Sequence, residues 1–272
     1  MTGRLAATFA GLRATQRCGL VTYVTAGDPD YARSREIVLA LDRAGADVLE
    51  IGVPFSEPLA DGPVIQRASE RALAAGMSLA RALDLVTEVR DRLRAPIVLF
   101  TYANPVFRMG TERFVARAAE AGVDGVLALD LPVEESSRLR DALASRGLDM
   151  IFLVSPTTTD ERIRRAAAIG SGFLYAISRL GVTGARARVA EGARELALRI
   201  RRETDLPLAM GFGLSQPEHV AAVGAFADAA VVGSALVDLI ARSARAPDLA
   251  ARVEQFVRAL KGEPVHPAVG RG

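Results

Sequence analysis

The sequence predicts a single (β/α)8 barrel of the TIM type, with one additional helix at its N-terminus. Three observations predict it. The chain has 272 residues, close to the roughly 250 typical of that architecture. Short apolar runs alternate with amphipathic helical stretches along its whole length. A helix–glycine–strand joint also recurs, at Ala44-Gly45-Ala46-Asp47, Ala121-Gly122-Val123-Asp124 and Arg146-Gly147-Leu148-Asp149. In each joint the glycine ends a helix in the left-handed conformation and a strand begins soon after. Regular alternation of β and α implies a parallel sheet. An open doubly wound sheet is the alternative, and eight units with a helix after each favour closure.

In order, residues 3–14 read as a short helix placed to cover the open end of a barrel. The first strand is 19–24, ending in a tight Gly27-Asp28-Pro29 turn, and Tyr31, Ile37, Val38, Leu41 and Ala44 share one helical face. The second strand is 48–51, followed by a polar loop and a long helical region carrying Leu79, Leu83, Val86 and Leu93. The third, 96–100, is continuously apolar, as a strand buried on both faces must be. Residues 101–105 read as its loop and 111–121 as a helix. Strands follow at 125–129 and 150–154 with a helix at 134–146 between them, and Thr158 with Glu161 forms a capping box for the next helix. The last three strands are 173–176, 206–210 and 229–232, and 248–261 is the final amphipathic helix. The domain is expected to span 1–262, with 263–272, rich in Pro and Gly and without an apolar face, as a disordered tail.

Composition excludes several classes of function. Basic and acidic residues nearly balance, 34 against 32, and the arginines are scattered along helices, which is the pattern of solvated faces and not of a nucleic-acid footprint. One cysteine, Cys18, allows no internal disulfide and no cysteine metal cluster. His219 reads as a first-turn surface residue and His266 lies in the tail, so acid–base work falls to carboxylates. The N-terminal apolar residues are broken by Gly11, Arg13, Gln16 and Arg17, unlike a signal peptide, and no run approaches the ~20 residues of a membrane span. A cytoplasmic protein without membrane or metal is expected.

The chemistry concentrates in Asp47 to Gln66. Glu50 occupies a position that a buried strand normally gives to Val or Ile. Either it pairs with an arginine, or its apolar setting raises its pKa and makes it a general acid or base. The following loop, Pro54-Phe55-Ser56-Glu57-Pro58-Leu59-Ala60-Asp61-Gly62-Pro63, is fixed by prolines and can return Asp61 over the strand end as a second carboxylate. In a barrel the loops after the strands share one face, which brings Glu50, Asp61, Tyr102, Asp130 and Tyr175 together with Gly184, Gly211-Phe212-Gly213 and Gly233-Ser234. Glycines at the ends of the seventh and eighth strands suit a phosphate at a helix N-terminus.

This stretch resembles the signature of the tryptophan synthase alpha subunit family. The resemblance extends from Thr25-Ala26-Gly27-Asp28-Pro29 through Tyr102-Ala103-Asn104, Asp130 to Glu135, Ser178-Arg179, Gly181-Val182-Thr183-Gly184 and Gly211-Phe212-Gly213 to Gly233-Ser234-Ala235. It implies retro-aldol cleavage of indole-3-glycerol phosphate to indole and glyceraldehyde 3-phosphate, with Glu50 and Asp61 as catalytic carboxylates. It implies phosphate on the backbone of Gly184, Gly213, Gly233 and Ser234, Tyr175 near the reacting bond, and Tyr102 and Phe212 as walls. It further implies a beta-subunit partner in an alpha-beta-beta-alpha tetramer, with pyridoxal phosphate in that partner and no cofactor here. The single lysine, Lys261, lies in the terminal helix, far from a Schiff-base position. Glu57 and Leu180 depart from the family pattern, which usually has Asp and a small residue there. A stand-alone lyase, a silent phosphate-binding barrel with a regulatory role and a sugar-phosphate isomerase are the competing readings.

Overall fold

The computed structural model describes residues 3–177, 186–211 and 213–263, the side chains of 186–191 excepted. The N-terminal helix α1 (Arg4–Ala14) leads into β1 (Gly19–Thr25) and α2 (Tyr31–Arg43), then β2 (Val48–Gly52) with α3 (Pro63–Ala74) and α4 (Leu79–Arg90). Next come β3 (Ile97–Thr101), α5 (Ala103–Met109), α6 (Thr111–Ala121), β4 (Gly125–Ala128), α7 (Ser137–Ser145), β5 (Asp149–Met150) and β6 (Phe152–Val154). The chain continues through α8 (Asp160–Ile169), β7 (Leu174–Ile177), α9 (Arg186–Glu203), β8 (Leu208–Gly211), α10 (Pro217–Gly224), β9 (Ala229–Val232), α11 (Ser234–Arg242) and α12 (Leu249–Leu260).

The strands pair in parallel, and the sheet order β5-β4-β3-β2-β1-β9-β8-β7-β6 starts and ends on two segments that adjoin in sequence. β5 and β6 are halves of one stave, interrupted at Ile151, so nine segments make eight staves and the ring comes round on itself through residues 149–154. The joints take the conformation expected of them: Gly45, Gly122 and Gly147 have φ of 81°, 82° and 70°, the left-handed region in which a Cβ is strained. The interruption departs from the continuous strand expected at 150–154.

Period-2 alternation divides the strand residues between two cores. Leu20, Val24, Leu49, Ile51, Ile97 and Leu99 face the helices, in the larger cluster. Val21, Tyr23, Val48, Val98, Phe100, Leu127, Phe173, Tyr175, Ala209 and Val231 fill the barrel interior, and Leu5, Phe9 and Leu12 of α1 pack into the same cluster. The expected covering helix is therefore present and contributes core.

Four local readings are corrected. Residues 103–105 belong to α5 and not to a loop, because Pro105 falls in the first turn, where a missing N–H costs nothing. The long helical region after β2 is two helices, parted at Gly76 with φ 79°. The cap of α8 is Thr159, whose hydroxyl accepts from the Arg162 N–H, while Thr158 accepts from the Ser155 N–H. The helix expected at 134–146 begins as a 3₁₀ turn, 133–135.

Candidate active site at the C-terminal mouth of the barrel

Glu50 is the centre of β2, pairing in register with Tyr23 of β1 and Val98 of β3. Its side chain points into the barrel, is 0% exposed, and neither carboxylate oxygen has a hydrogen-bond partner. The arginine-paired alternative is thereby set aside. Burial pushes its pKa up to about 8, and the charge of Asp61 adds to the rise. A carboxyl in that state is mostly protonated at neutral pH and can both give and take a proton there.

Asp61 sits at the end of the loop after β2. The Tyr102 hydroxyl, at the end of β3, donates to Asp61 Oδ2 at 2.9 Å and accepts from the Ala60 N–H at 3.3 Å. The Phe55 ring lies 4.9 Å from the Tyr102 ring. Desolvation raises the pKa of Asp61, and the Tyr102 hydrogen bond opposes the rise. One tyrosine thus pins the loop from both ends of the Ala60–Asp61 peptide and favours the ionised form. The two carboxyls are held in unlike environments, one dry and unpartnered, the other hydrogen-bonded. That is the arrangement that separates an acid from an anion.

Beside them opens a cavity of ≈ 470 Å³ lined by Tyr23, Gly62 to Ile65, Phe100, Tyr175, Ile177, Gly211, Gly213, Val231, Gly233 and Ser234. Tyr175 of β7 is raised in pKa by burial first and by the Glu50 charge next, so its phenol stays protonated within reach of that carboxyl's field. Gly213 has φ 67°. Gly233 precedes the first turn of α11, where the N–H groups have no intrahelical partner. Of the sequence-predicted residues, Tyr175, Gly213, Gly233 and Ser234 line this cavity; Asp61 precedes the lining residue Gly62 and bonds Tyr102, and Glu50 pairs in register with the lining residue Tyr23. Gly184 and Phe212, with Ser178 to Thr183, lie outside the described residues.

Asp130 serves the scaffold instead. Its Oδ1 accepts from the Ala103 N–H at 2.7 Å and so satisfies a donor of the first turn of α5. Glu57 accepts from the Ser56 hydroxyl at 2.8 Å, on the exposed loop. His219 Nδ1 accepts from the Ser215 N–H at a helix start. Lys261 bonds the Gly45 carbonyl and lies 3.3 Å from Asp47 Oδ2, at the start of β2 and away from the mouth. Sequence reasoning missed Tyr23 and Phe100 as site residues. The signal was available, since alternation along β1 and β3 places both on the face that Glu50 occupies on β2.

Fold and site together define a parallel β/α barrel with a buried, unpartnered carboxyl beside a cavity at its mouth. The family model described as tryptophan synthase alpha chain matches residues 9–263. The chain belongs to the tryptophan synthase alpha chain family, carbon–carbon lyases that cleave indole-3-glycerol phosphate. It is 50% identical over 258 residues to the tryptophan synthase alpha chain of Geotalea uraniireducens, covering 95% of this chain and 96% of that one. It is 47% identical to that of Solibacter usitatus over 95% and 97% of the two chains. The crystal structure of tryptophan synthase subunit alpha from Legionella pneumophila superposes with TM-score 0.89 at 35% identity, covering 96% and 98%. Mycobacterium tuberculosis tryptophan synthase superposes with TM-score 0.88 at 34% identity, covering 98% and 100%.

Proposed function

We propose that Glu50 and Asp61 carry the cleavage of indole-3-glycerol phosphate, with Glu50 as the proton carrier and Asp61 as the fixed anion. The observation that carries this reading is the fully buried, unpartnered Glu50 carboxyl, its pKa raised to about 8 by burial and by the Asp61 charge. Glu50 gives its proton to indole C3, and positive charge develops at the ring nitrogen, where Asp61 accepts the N–H and stabilises it. The Glu50 carboxylate then takes the proton of the hydroxyl next to the breaking bond. The O–H electrons form the aldehyde carbonyl and the C–C pair returns to the indole ring. Protons balance on one carboxyl, and the products are indole and glyceraldehyde 3-phosphate.

The phosphate is assigned to the backbone of Gly184, Gly213, Gly233 and Ser234. The first turn of α11 and the glycines that close β8 support this reading, because bare N–H groups and a helix N-terminus favour an anion. Tyr175 is assigned to the reacting end and Phe212 to the wall. Tyr102 is assigned through Asp61 more than through the substrate.

Family membership implies a beta-subunit partner. We assign the assembly as an alpha-beta-beta-alpha tetramer in the cytoplasm, with pyridoxal phosphate confined to the beta subunit. Leu59, 91% exposed, and Phe107, 53% exposed, support a protein-facing surface at this mouth. They sit on the two segments that Tyr102 ties together. Among the described residues no helix is long and apolar enough to cross a membrane. The test is indole release by the purified chain alone and with a beta subunit added. Slow cleavage that rises with the partner is expected. Fast cleavage without gain would mark a stand-alone lyase, and no cleavage under either condition would overturn the assignment.

A further inference from the structure

Tyr23 carries a hydroxyl that packing alone does not require. Its ring is 5% exposed and stacks edge-on against Phe100, with centroids 5.3 Å apart. A phenylalanine would make that contact without burying an O–H. The hydroxyl's hydrogen bond is a 3.5 Å contact with Thr25 Oγ1, at the outer limit of such bonds. A buried polar group so poorly served normally costs stability. The neighbouring strand makes room for it: a Cβ on Gly52 would lie 2.1 Å from the Tyr23 oxygen, so that position must be glycine for the phenol to reach over β2.

Glu50 is the other ill-served group of the interior. It pairs with Tyr23 in register across β1 and β2, and it lies two residues before Gly52 on the same face. Two under-satisfied groups, a donor and an acceptor, therefore stand at paired positions on the inward faces of β1 and β2, and Tyr23 lines the cavity. Resting on the reading of Glu50 as proton carrier, we propose that Tyr23 is a positioning residue for Glu50: its hydroxyl leaves Thr25 and donates to the carboxylate that forms when Glu50 has given up its proton.

Burial and the neighbouring Asp61 and Glu50 charges keep the Tyr23 phenol protonated, so it remains a donor throughout the cycle. The resting protein gains little from the bond, because neutral Glu50 needs no such donor. The charged intermediate gains most, which is the selective stabilisation that accelerates a step. The titratable groups facing Glu50 are Asp61 from the loop after β2, Tyr175 from β7 and Tyr23 from β1, with Tyr102, which follows β3, acting on Asp61.

The test is Tyr23→Phe in the otherwise intact chain, read two ways. In ligand-free protein with carboxyl-labelled glutamate, the Glu50 signal is assigned by its absence in Glu50→Gln and titrated by NMR. The bond favours the carboxylate, so removing it moves the Glu50 midpoint upward by roughly one pH unit. In kinetics, kcat for indole-3-glycerol phosphate cleavage falls about tenfold while KM stays within about twofold. Thr25→Val provides the second variant: it removes the competing acceptor, so the Glu50 midpoint stays or moves down. An unmoved midpoint in Tyr23→Phe, or an upward move in Thr25→Val, overturns the proposal. Full turnover by Glu50→Gln would instead overturn the proton-carrier reading and leave the Tyr23 titration result standing.

Discussion

In its proposed role, Glu50 couples activity and stability through the same proton. Glu50→Gln is expected to lower kcat by at least about 10³-fold, the upper range of what a positioned acid–base group supplies, with phosphate affinity retained. A variant close to the parent rate would sink the proton-transfer role. The stability consequence has a definite sign. The folded-state pKa of about 8 lies above the ordinary 4.5, so between those values the folded chain binds the extra proton and rising pH favours unfolding. Glu50→Gln removes that liability. Its stability relative to the parent should increase from pH 5 to pH 8, by at most about 1.4 kcal/mol per pH unit, as read from urea midpoints. A constant gap across that range would show that burial does not hold the carboxyl neutral. For Asp61 the shift has the same sign, since burial raises its pKa as well. Tyr102→Phe removes the bond that opposes its raised pKa, so the acidic limb of kcat/KM should move to higher pH, as read from a pH–rate profile of the variant beside the parent. Glu50 and Asp61 were legible in the sequence because an acid in an apolar run and a proline-fixed loop are local anomalies. The inward face of Tyr23 was legible in the alternation along β1, but the part its hydroxyl could play was not, because an aromatic residue in a strand is an ordinary core residue until its hydroxyl's surroundings are known.

At the scale of elements, the loop after β2 is held from below as well as from above. Arg71 of α3 makes a bidentate bond to Asp28, at 2.8 and 2.9 Å, and the Asp28 side chain is 1% exposed. This pair ties the turn after β1 to the helix that begins where the loop after β2 ends. Desolvation raises the pKa of Asp28 and Arg71 opposes it, so Arg71→Ala leaves a buried acid without its cation. About 2–4 kcal/mol of destabilisation is expected at pH 7. The deficit should shrink at pH 4 as Asp28 takes up a proton, and a deficit independent of pH would assign the loss to packing alone. The staves and joints were readable in the sequence because apolar runs and helix-ending glycines are set by local sterics. The corrected elements depend on partners outside themselves. α5 begins at Ala103 because Asp130, 27 residues on, accepts its first N–H. The interruption at Ile151 is a matter of sheet closure, with Met150 paired to β4 and Phe152 to β7. No window of neighbouring residues contains either fact.

At the scale of the molecule, the interior is a stack with chemistry at one end and structure at the other. Leu5, Phe9 and Leu12 of α1 are buried in the interior cluster, and the Phe9 ring lies 5.3 Å from that of Phe173. Tyr175 follows Phe173 by two residues on the same inward face, and it lines the cavity at the mouth. The plug therefore reaches the site only through one intervening layer of side chains. Two accounts of the barrel then differ. If the interior transmits displacement, emptying the bottom layer should disturb Tyr175 and the rate. If the closed ring of parallel strands fixes Tyr175 by its backbone register, paired to Leu153 and Ala209, the bottom layer should matter to stability alone. Tyr175 is held in register from both sides, which favours the second account. Phe9→Ala is thus expected to cost about 3–5 kcal/mol, the usual loss for a buried phenylalanine. It should leave kcat and KM for indole-3-glycerol phosphate within about twofold at temperatures where the variant is folded. Urea unfolding and steady-state kinetics on the same preparation decide it. A rate loss beyond tenfold in fully folded protein would mean that the plug, and not the ring of strands, sets the geometry at the mouth.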